Sequence, residues 1–252
     1  MTWNHLPPTM TDPQSERLRP AAEAMDLDVV FEDPWLIAVN KPPGLIVHPS
    51  YKNISGTLLN GILGRRVLPT TPGVVTRLDK GTSGLVLVAL TSQAHSAVQR
   101  DAINGLVRKE YLALVCGVPS PRAGTITLPL GRDRSDRRRV IVSADGAPSE
   151  TRYETIVDAG THSLVHCLLL TGRTHQIRVH LAAIGNPVAG DATYGRAHPR
   201  LSRQALHAWR LTLPHPLTRG PLTLTARVPD DLRSAFPMFE LQHAPEHHRV
   251  RL

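Results

Sequence analysis

The chain has 252 residues, 41% of them hydrophobic and 20% charged, proportions of a globular protein with room for a sizeable core. Its two cysteines, Cys116 and Cys167, form no CxxC pair and lie in apolar runs. That excludes a disulfide framework or a cysteine zinc knuckle and fits a reducing compartment.

The formal charge is +8, and only four of the 29 cations are lysines (Lys41, Lys52, Lys80 and Lys109). Arginine holds phosphate in a bidentate fork and stacks on bases, so nucleic acid suits this bias, although codon composition produces it equally well. No apolar run approaches the ~18 residues that span a bilayer, and the polar, proline-rich start does not resemble a signal peptide. A cytoplasmic protein with no membrane association is expected.

Residues 1–27 carry few large apolar side chains and are expected to form a flexible lead-in, as are residues 241–252 at the other end. Between them lies one domain, 28–240. The runs DVVFED, LIAVNKP and GLIVHP predict three opening strands. LVLVAL, YLALVCG, TITLPL, TRYETIVD, HSLVHCLLL, HAWRLTL and LTLTARV predict those that follow.

Helical spacing marks 56–64 through Leu58, Leu59, Ile62 and Leu63, and the stretch from Ser92 through Ala94, Ala97, Val98 and Ala102. It also marks 174–184, with Thr174 as the expected cap and Gly185 as the stop. Strands outnumber helices and do not alternate with them. The expected class is therefore α+β, with a central mixed, largely antiparallel sheet flanked by helices and loops.

The segment TRLDKGTSGLVLVAL (76–90) places one carboxylate, Asp79, in a polar loop directly before a wholly apolar strand. An acid anchored in this way is positioned firmly, as a catalytic group must be, but a turn residue or a surface partner of Arg77 or Lys80 has the same appearance. In TGRTHQIRVHLA (171–182) a helix puts Gln176 and His180 on one face and Ile177 and Leu181 on another. His175 and His180, five residues apart, are turned by about 140° on a helix and do not match the metal-binding i,i+4 pair; no HExxH occurs, so no metal site is assigned. Tyr111 opens the strand in KEYLALVCG, NKPPGLIVHP reads as a turn between two strands, and RDRSDRRR (132–139) sets five arginines against two aspartates at a hairpin tip.

Taken together and in order, NKPPGLIVHP, TRLDKGTSGL, KEYLALV, GRTHQIRVHL and NPVAGDATYG resemble the RluA-type pseudouridine synthases over roughly residues 28–230. The resemblance implies the pseudouridine synthase fold and isomerisation of uridine in structured RNA, in 23S ribosomal RNA, transfer RNA or both. It implies Asp79 as the catalytic aspartate, Arg178 as the basic residue paired with it and Tyr111 as the ring that stacks on uracil. Ile177 would be an apolar packing position, and Arg77 would fill the gap left by the flipped nucleotide. Arg132, Arg134, Arg137, Arg138 and Arg139 would grip the RNA stem. The family commonly has HRLD where this chain has Thr76 before RLD.

The residues before position 28 are too few for the small basic domain that many relatives append, so the catalytic domain is expected to recognise RNA itself. The reaction breaks N1–C1′ and joins C5 to C1′ without oxidation, so neither a nucleotide cofactor nor a metal is expected. A hydrolytic glycosidase would need a second carboxylate in the loop. A monomer is expected. The reading from a different class is a non-catalytic RNA-binding or RNA-chaperone protein that keeps the fold, and the trio Asp79, Tyr111 and Arg178 discriminates against it.

Overall fold

The computed structural model describes residues 20–51, 53–65, 68 and 72–236. Residues 1–19 of the expected lead-in, the whole expected tail and Lys52 lie outside them. Residues 20–27 do not run loose. Leu27 is buried, the Glu23 amide donates to Asn60 O at 3.0 Å, and the Asn60 side-chain amide donates to Ala21 O at 2.8 Å.

The strands are β1 (Val29–Glu32), β2 (Leu36–Lys41), β3 (Gly73–Val74), β4 (Ser83–Ala89), β5 (Arg108–Cys116), β6 (Ala123–Ile126), β7 (Leu130–Arg132), β8 (Val140–Val142), β9 (Thr151–Asp158), β10 (His162–Leu169), β11 (Leu206–Pro214) and β12 (Pro221–Thr225). The described helices are α1 (Leu58–Arg65), α2 (Ser92–Ile103), α3 (Gln176–Ala183) and α4 (Asp230–Ala235). One ten-stranded sheet has the order β1-β2-β4-β11-β5-β10-β9-β6, with β3 on β4 and β12 on β11; β7 and β8 pair as a separate hairpin. The pairing of β4 with β11 is parallel, and the other pairings are antiparallel, as the expected class requires.

Strand β4 is buried along its whole length because helices cover both of its faces. Val86 and Val88 pack with Leu58, Leu59 and Ile62 of α1, while Leu85, Leu87 and Ala89 pack with Ala94 and Val98 of α2. A run apolar at every position, rather than every second one, is the sequence of such a strand. Of the predicted apolar side of α2, Ala102 is exposed; its neighbour Asp101 is buried instead and paired with Arg219 at 2.7 and 2.8 Å.

Strand β11 is the seam of the sheet. On one side His207 and Ala208 register with Ser83 and Gly84, and on the other Ala208 registers with Tyr111. Gly84 has φ +108°, and a Cβ there would stand 2.1 Å from Ala208 O, so only glycine permits this approach. Gly84, Ala208 and Tyr111 thus lie in line across three strands, about 10 Å from first to last.

Two expected strands take other forms. GLIVHP is a loop in which Ile46 makes only an isolated bridge to Thr57. The buried Lys41 ammonium pins it, donating to Pro42 O at 2.8 Å and Leu45 O at 2.9 Å, with Lys80 O at 3.3 Å. TITLPL divides into β6 and the start of β7, with Pro129, which has no N–H for a ladder, at the break.

Candidate active site

A cleft of about 390 Å³ opens beside the seam, and Asp79, Tyr111, Arg178, Ile177 and Arg77 all line it, with Leu206 of β11 between the two halves. The loop before β4 delivers Asp79 and is held from both ends. Thr76 is buried and its hydroxyl oxygen accepts the Leu87 amide at 2.8 Å, while the Thr82 amide closes a turn on Asp79 O at 3.0 Å. The threonine that departs from HRLD therefore fastens the loop to β4.

Helix α3 delivers Arg178. Gln176 is buried at the helix start and fully hydrogen-bonded. Its oxygen accepts from the Thr171 hydroxyl and the Arg173 amide, and its nitrogen donates to Glu150 O and the Thr151 hydroxyl, all within 2.9 Å. His180, on the same face as expected, has both ring nitrogens committed, Nδ1 to the Thr151 hydroxyl and Nε2 to Leu128 O, each at 2.9 Å. It is a fixed structural residue. The expected cap at Thr174 is displaced by one residue: His175 is the N-cap, in the left-handed region at φ 56° and ψ 14°, with no side-chain capping bond.

Arg178 Nη1 donates to Asp79 Oδ2 at 2.9 Å. Its other edge grips Asp191, through Nε at 2.6 Å and Nη2 at 2.9 Å. Burial opposes the guanidinium charge, but the bonds and charges of Asp191 and Asp79 outweigh it and hold the group protonated. For Asp191 burial favours the neutral acid. Arg178 and the Thr193 and Tyr194 amides overcome that and keep the carboxyl below the usual range.

Tyr111 is buried in β5 with its ring on the cleft, and burial, followed by the charge of Asp79, pushes its phenol above the ordinary value. Ile177 is buried at the cleft and packs in the core with Tyr111 and Leu181. Arg77 is exposed on the rim.

The arginine hairpin stands where the sequence put it, with Arg132, Arg134, Arg137, Arg138 and Arg139 all exposed. Not all five cations are equally available. Arg138 is bidentate to Asp136 at 2.9 and 3.1 Å, and the Arg139 guanidinium lies 5.8 Å from the centroid of the Tyr194 ring.

Three further groups belong to this site and were not singled out from the sequence as functional: Asp191, Tyr194 and Lys109. Lys109 lines the cleft, and burial lowers its pKa. His175, considered there only as a metal ligand, also lines the cleft, with Nε2 3.8 Å from Asp79 Oδ2. Burial lowers its pKa and Asp79 opposes that shift, leaving a neutral imidazole near pH 7.

The sequence profile of the family described as RNA pseudouridylate synthase matches residues 35–183. The chain is 41% identical to an uncharacterized RNA pseudouridine synthase of Bacillus subtilis, over 89% of this chain and 76% of that protein. It is 44% identical to ribosomal large subunit pseudouridine synthase D of Nitrosomonas europaea, over 84% of this chain; it spans only 64% of that protein's length.

Among solved structures, human RNA pseudouridylate synthase domain containing 1 superposes with a TM-score of 0.65 at 30% identity, covering 81% of this chain and 84% of that one. A second human protein, RNA pseudouridylate synthase domain containing 4, shares the fold with a TM-score of 0.67 at 24% identity, over 84% and 92% of the two chains. The chain belongs to the RNA pseudouridylate synthase family, RluA type, and is an isomerase that acts on uridine in RNA.

Proposed function

We propose that this enzyme converts uridine to pseudouridine in ribosomal large-subunit RNA, with Asp79 as its reactive carboxylate. The observation that carries this reading is the Asp79–Arg178 pair at 2.9 Å inside a cleft that also presents the Tyr111 ring. The names of relatives at 39% and 44% identity, ribosomal large subunit pseudouridine synthase D, favour ribosomal RNA; transfer RNA is the second substrate class. The catalytic domain is taken as residues 28–240, acting as a monomer in the cytoplasm.

The geometry of the cleft supports the roles of Asp79, Arg178 and Tyr111, and the family resemblance supplies those of Arg77 and the hairpin. Arg178 holds Asp79 by a hydrogen bond of 2.9 Å and so fixes its orientation, leaving the carboxylate placed to act at the sugar or the base. Tyr111 offers a face for the uracil, an interaction worth about 1–3 kcal/mol per base. The target nucleotide must leave its stack at a cost of a few kcal/mol, which Arg77 in the vacated gap and the arginine hairpin on the stem offset. Because the rearrangement is redox-neutral, the reading calls for no redox cofactor.

The test is to map pseudouridines, by carbodiimide labelling and primer extension, in RNA from cells with and without the gene. A site lost with the gene and restored by the parent but not by Asp79→Asn supports the assignment. Restoration by Asp79→Asn would remove it, and a map unchanged by loss of the gene would remove the substrate class.

A further inference from the structure

The family reading leaves His175 and Tyr194 without a role, yet the two form a chain that ends at Asp79. The Tyr194 hydroxyl accepts the amide of Val140, at the base of the arginine hairpin, at 2.8 Å, and lies 2.7 Å from His175 Nδ1. Val140 N–H can only donate. If His175 Nδ1–H donated to the same oxygen as well, the phenolic proton would have no acceptor among the described residues. With Tyr194 donating its O–H to Nδ1, the phenolic proton has an acceptor and the oxygen still accepts from Val140, so the neutral ring carries its own proton on Nε2.

That N–H faces Asp79, with Nε2 3.8 Å from Oδ2. The distance exceeds a hydrogen bond but is one that tightens when a site closes on substrate. Arg178 Nη1 donates to the same oxygen. Oδ1 has no hydrogen-bond donor among the described residues. The Tyr194 ring is itself packed under Arg178, whose guanidinium carbon is 5.0 Å from the ring centroid. His175 holds a left-handed backbone, an uncommon conformation for a residue with a Cβ, and one that sets the ring between Tyr194 and Asp79.

We propose that Tyr194 and His175 are positioning residues for the reaction: Tyr194 locks His175 in the Nε2–H tautomer, so that an N–H rather than a lone pair faces Asp79 Oδ2 and Oδ1 is left for the substrate. This rests on the reading of Asp79 as the reactive carboxylate. In the other tautomer the Nε2 lone pair would face an anion, repelling the carboxylate and turning it out of place. Tyr194 thus acts through His175, never on the substrate, and the hairpin base that pins its hydroxyl becomes part of the catalytic frame.

The experiment uses the full chain and a transcript carrying the uridine identified by mapping. Tyr194→Phe keeps the ring beneath Arg178 and removes only the hydroxyl; His175→Asn keeps a residue that tolerates the left-handed region. Each should lower the single-turnover rate about tenfold or more with RNA Kd changed less than about twofold. In the parent labelled with 15N-histidine, the His175 ring shifts should report a proton on Nε2, and Tyr194→Phe should mix the tautomers. The double variant should be no slower than His175→Asn alone, because the hydroxyl works only through the ring. Additive losses, a full-rate Tyr194→Phe or an unchanged tautomer would overturn the proposal while Asp79→Asn stayed inactive. Turnover by Asp79→Asn would instead remove the reading beneath it.

Discussion

Asp79 and Asp191 are held by two edges of one guanidinium, Asp79 at a single 2.9 Å bond and Asp191 at two bonds of 2.6 and 2.9 Å. The bidentate edge faces the carboxylate that is buried and lies outside the wall of the cleft. Asp191 therefore anchors Arg178, and Arg178 presents its remaining N–H to Asp79. The fork is suited to this because a lysine ammonium, a point charge, cannot satisfy both carboxylates with the same geometry.

Removing the anchor should loosen the presented edge. Asp191→Asn should lower the turnover rate about tenfold or more while RNA affinity stays within about twofold. Asp191→Ala should destabilise the fold in urea unfolding, by less than the roughly 3–5 kcal/mol of a wholly unpaired buried charge because Asp79 still faces Arg178. Arg178→Lys should be slow, and Arg178→Ala slower still. Parent-like rates in Asp191→Asn would show that Arg178 needs no second carboxylate.

Tyr111 separates stacking from hydrogen bonding. Tyr111→Phe keeps the ring and should bind target RNA as the parent does, whereas Tyr111→Ala should lose about 1–3 kcal/mol of binding or transition-state energy. Filter binding combined with single-turnover rates measures both. Negligible effects from both changes would make Tyr111 a plain core residue.

The hairpin should act through charge. Phosphate contacts carry no base-reading geometry, and each contributes roughly −0.7 to −0.9 to the log–log salt slope. Changing Arg137 and Arg139 together to alanine should flatten that slope by up to about 1.8, for target and non-target RNA alike. Asp136→Asn keeps the short turn but frees Arg138, so it should tighten binding and steepen the slope. A double-alanine variant with the parent slope and a changed choice of uridine would mean that the loop reads sequence.

The seam should weaken in acid. His207 on β11 is wholly buried, its Nδ1 at 3.0 Å from the Ser83 hydroxyl and its Nε2 at 3.3 Å from Ala226 O. Burial, foremost, lowers its pKa to about 4. The unfolded chain binds a proton near pH 6.5 that the folded chain refuses until about pH 4, so stability is present above that window and is lost as pH falls through it. In urea titrations, His207→Gln should flatten stability against pH between about 6.5 and 4 by up to about 1.4 kcal/mol per pH unit. Equal slopes in parent and variant would show that His207 does not titrate there.

Asp79, Tyr111 and Arg178 were legible through the ordered motifs that resemble the family, whereas local pattern alone left Asp79 readable as a turn residue and Tyr111 as a strand residue of the core. The all-apolar β4 announced its own burial. Asp191 lay inside a recognisable string, but its partner is thirteen residues back across a turn, and sequence spacing does not express that contact; a carboxylate ahead of amides it can accept, those of Thr193 and Tyr194, was the available sign. GLIVHP has the composition of a strand, and its true form depends on where a buried lysine finds carbonyl acceptors. His175 drew notice only beside His180, whose nitrogens are spent on Thr151 and Leu128. A tautomer fixed by a tyrosine nineteen residues away leaves no periodic trace.

The line from Gly84 through Ala208 to Tyr111 bears on how the enzyme comes into being. Asp79 belongs to the half-sheet built from β1 to β4, and Tyr111 and Arg178 to the half built around β5, β9 and β10. The strand that joins them is supplied more than 120 residues after Ser83, by the register of His207 with Ser83. Closing so long a loop is slow compared with forming local hairpins, and a growing chain adds residues from its N-terminus. Both cores include β11, through Leu206 and Ala208 on one side and Leu211 and Leu213 on the other, so carboxylate and ring are expected to stay apart until β11 docks between them. Catalytic competence therefore arrives late and all at once, with the last central strand.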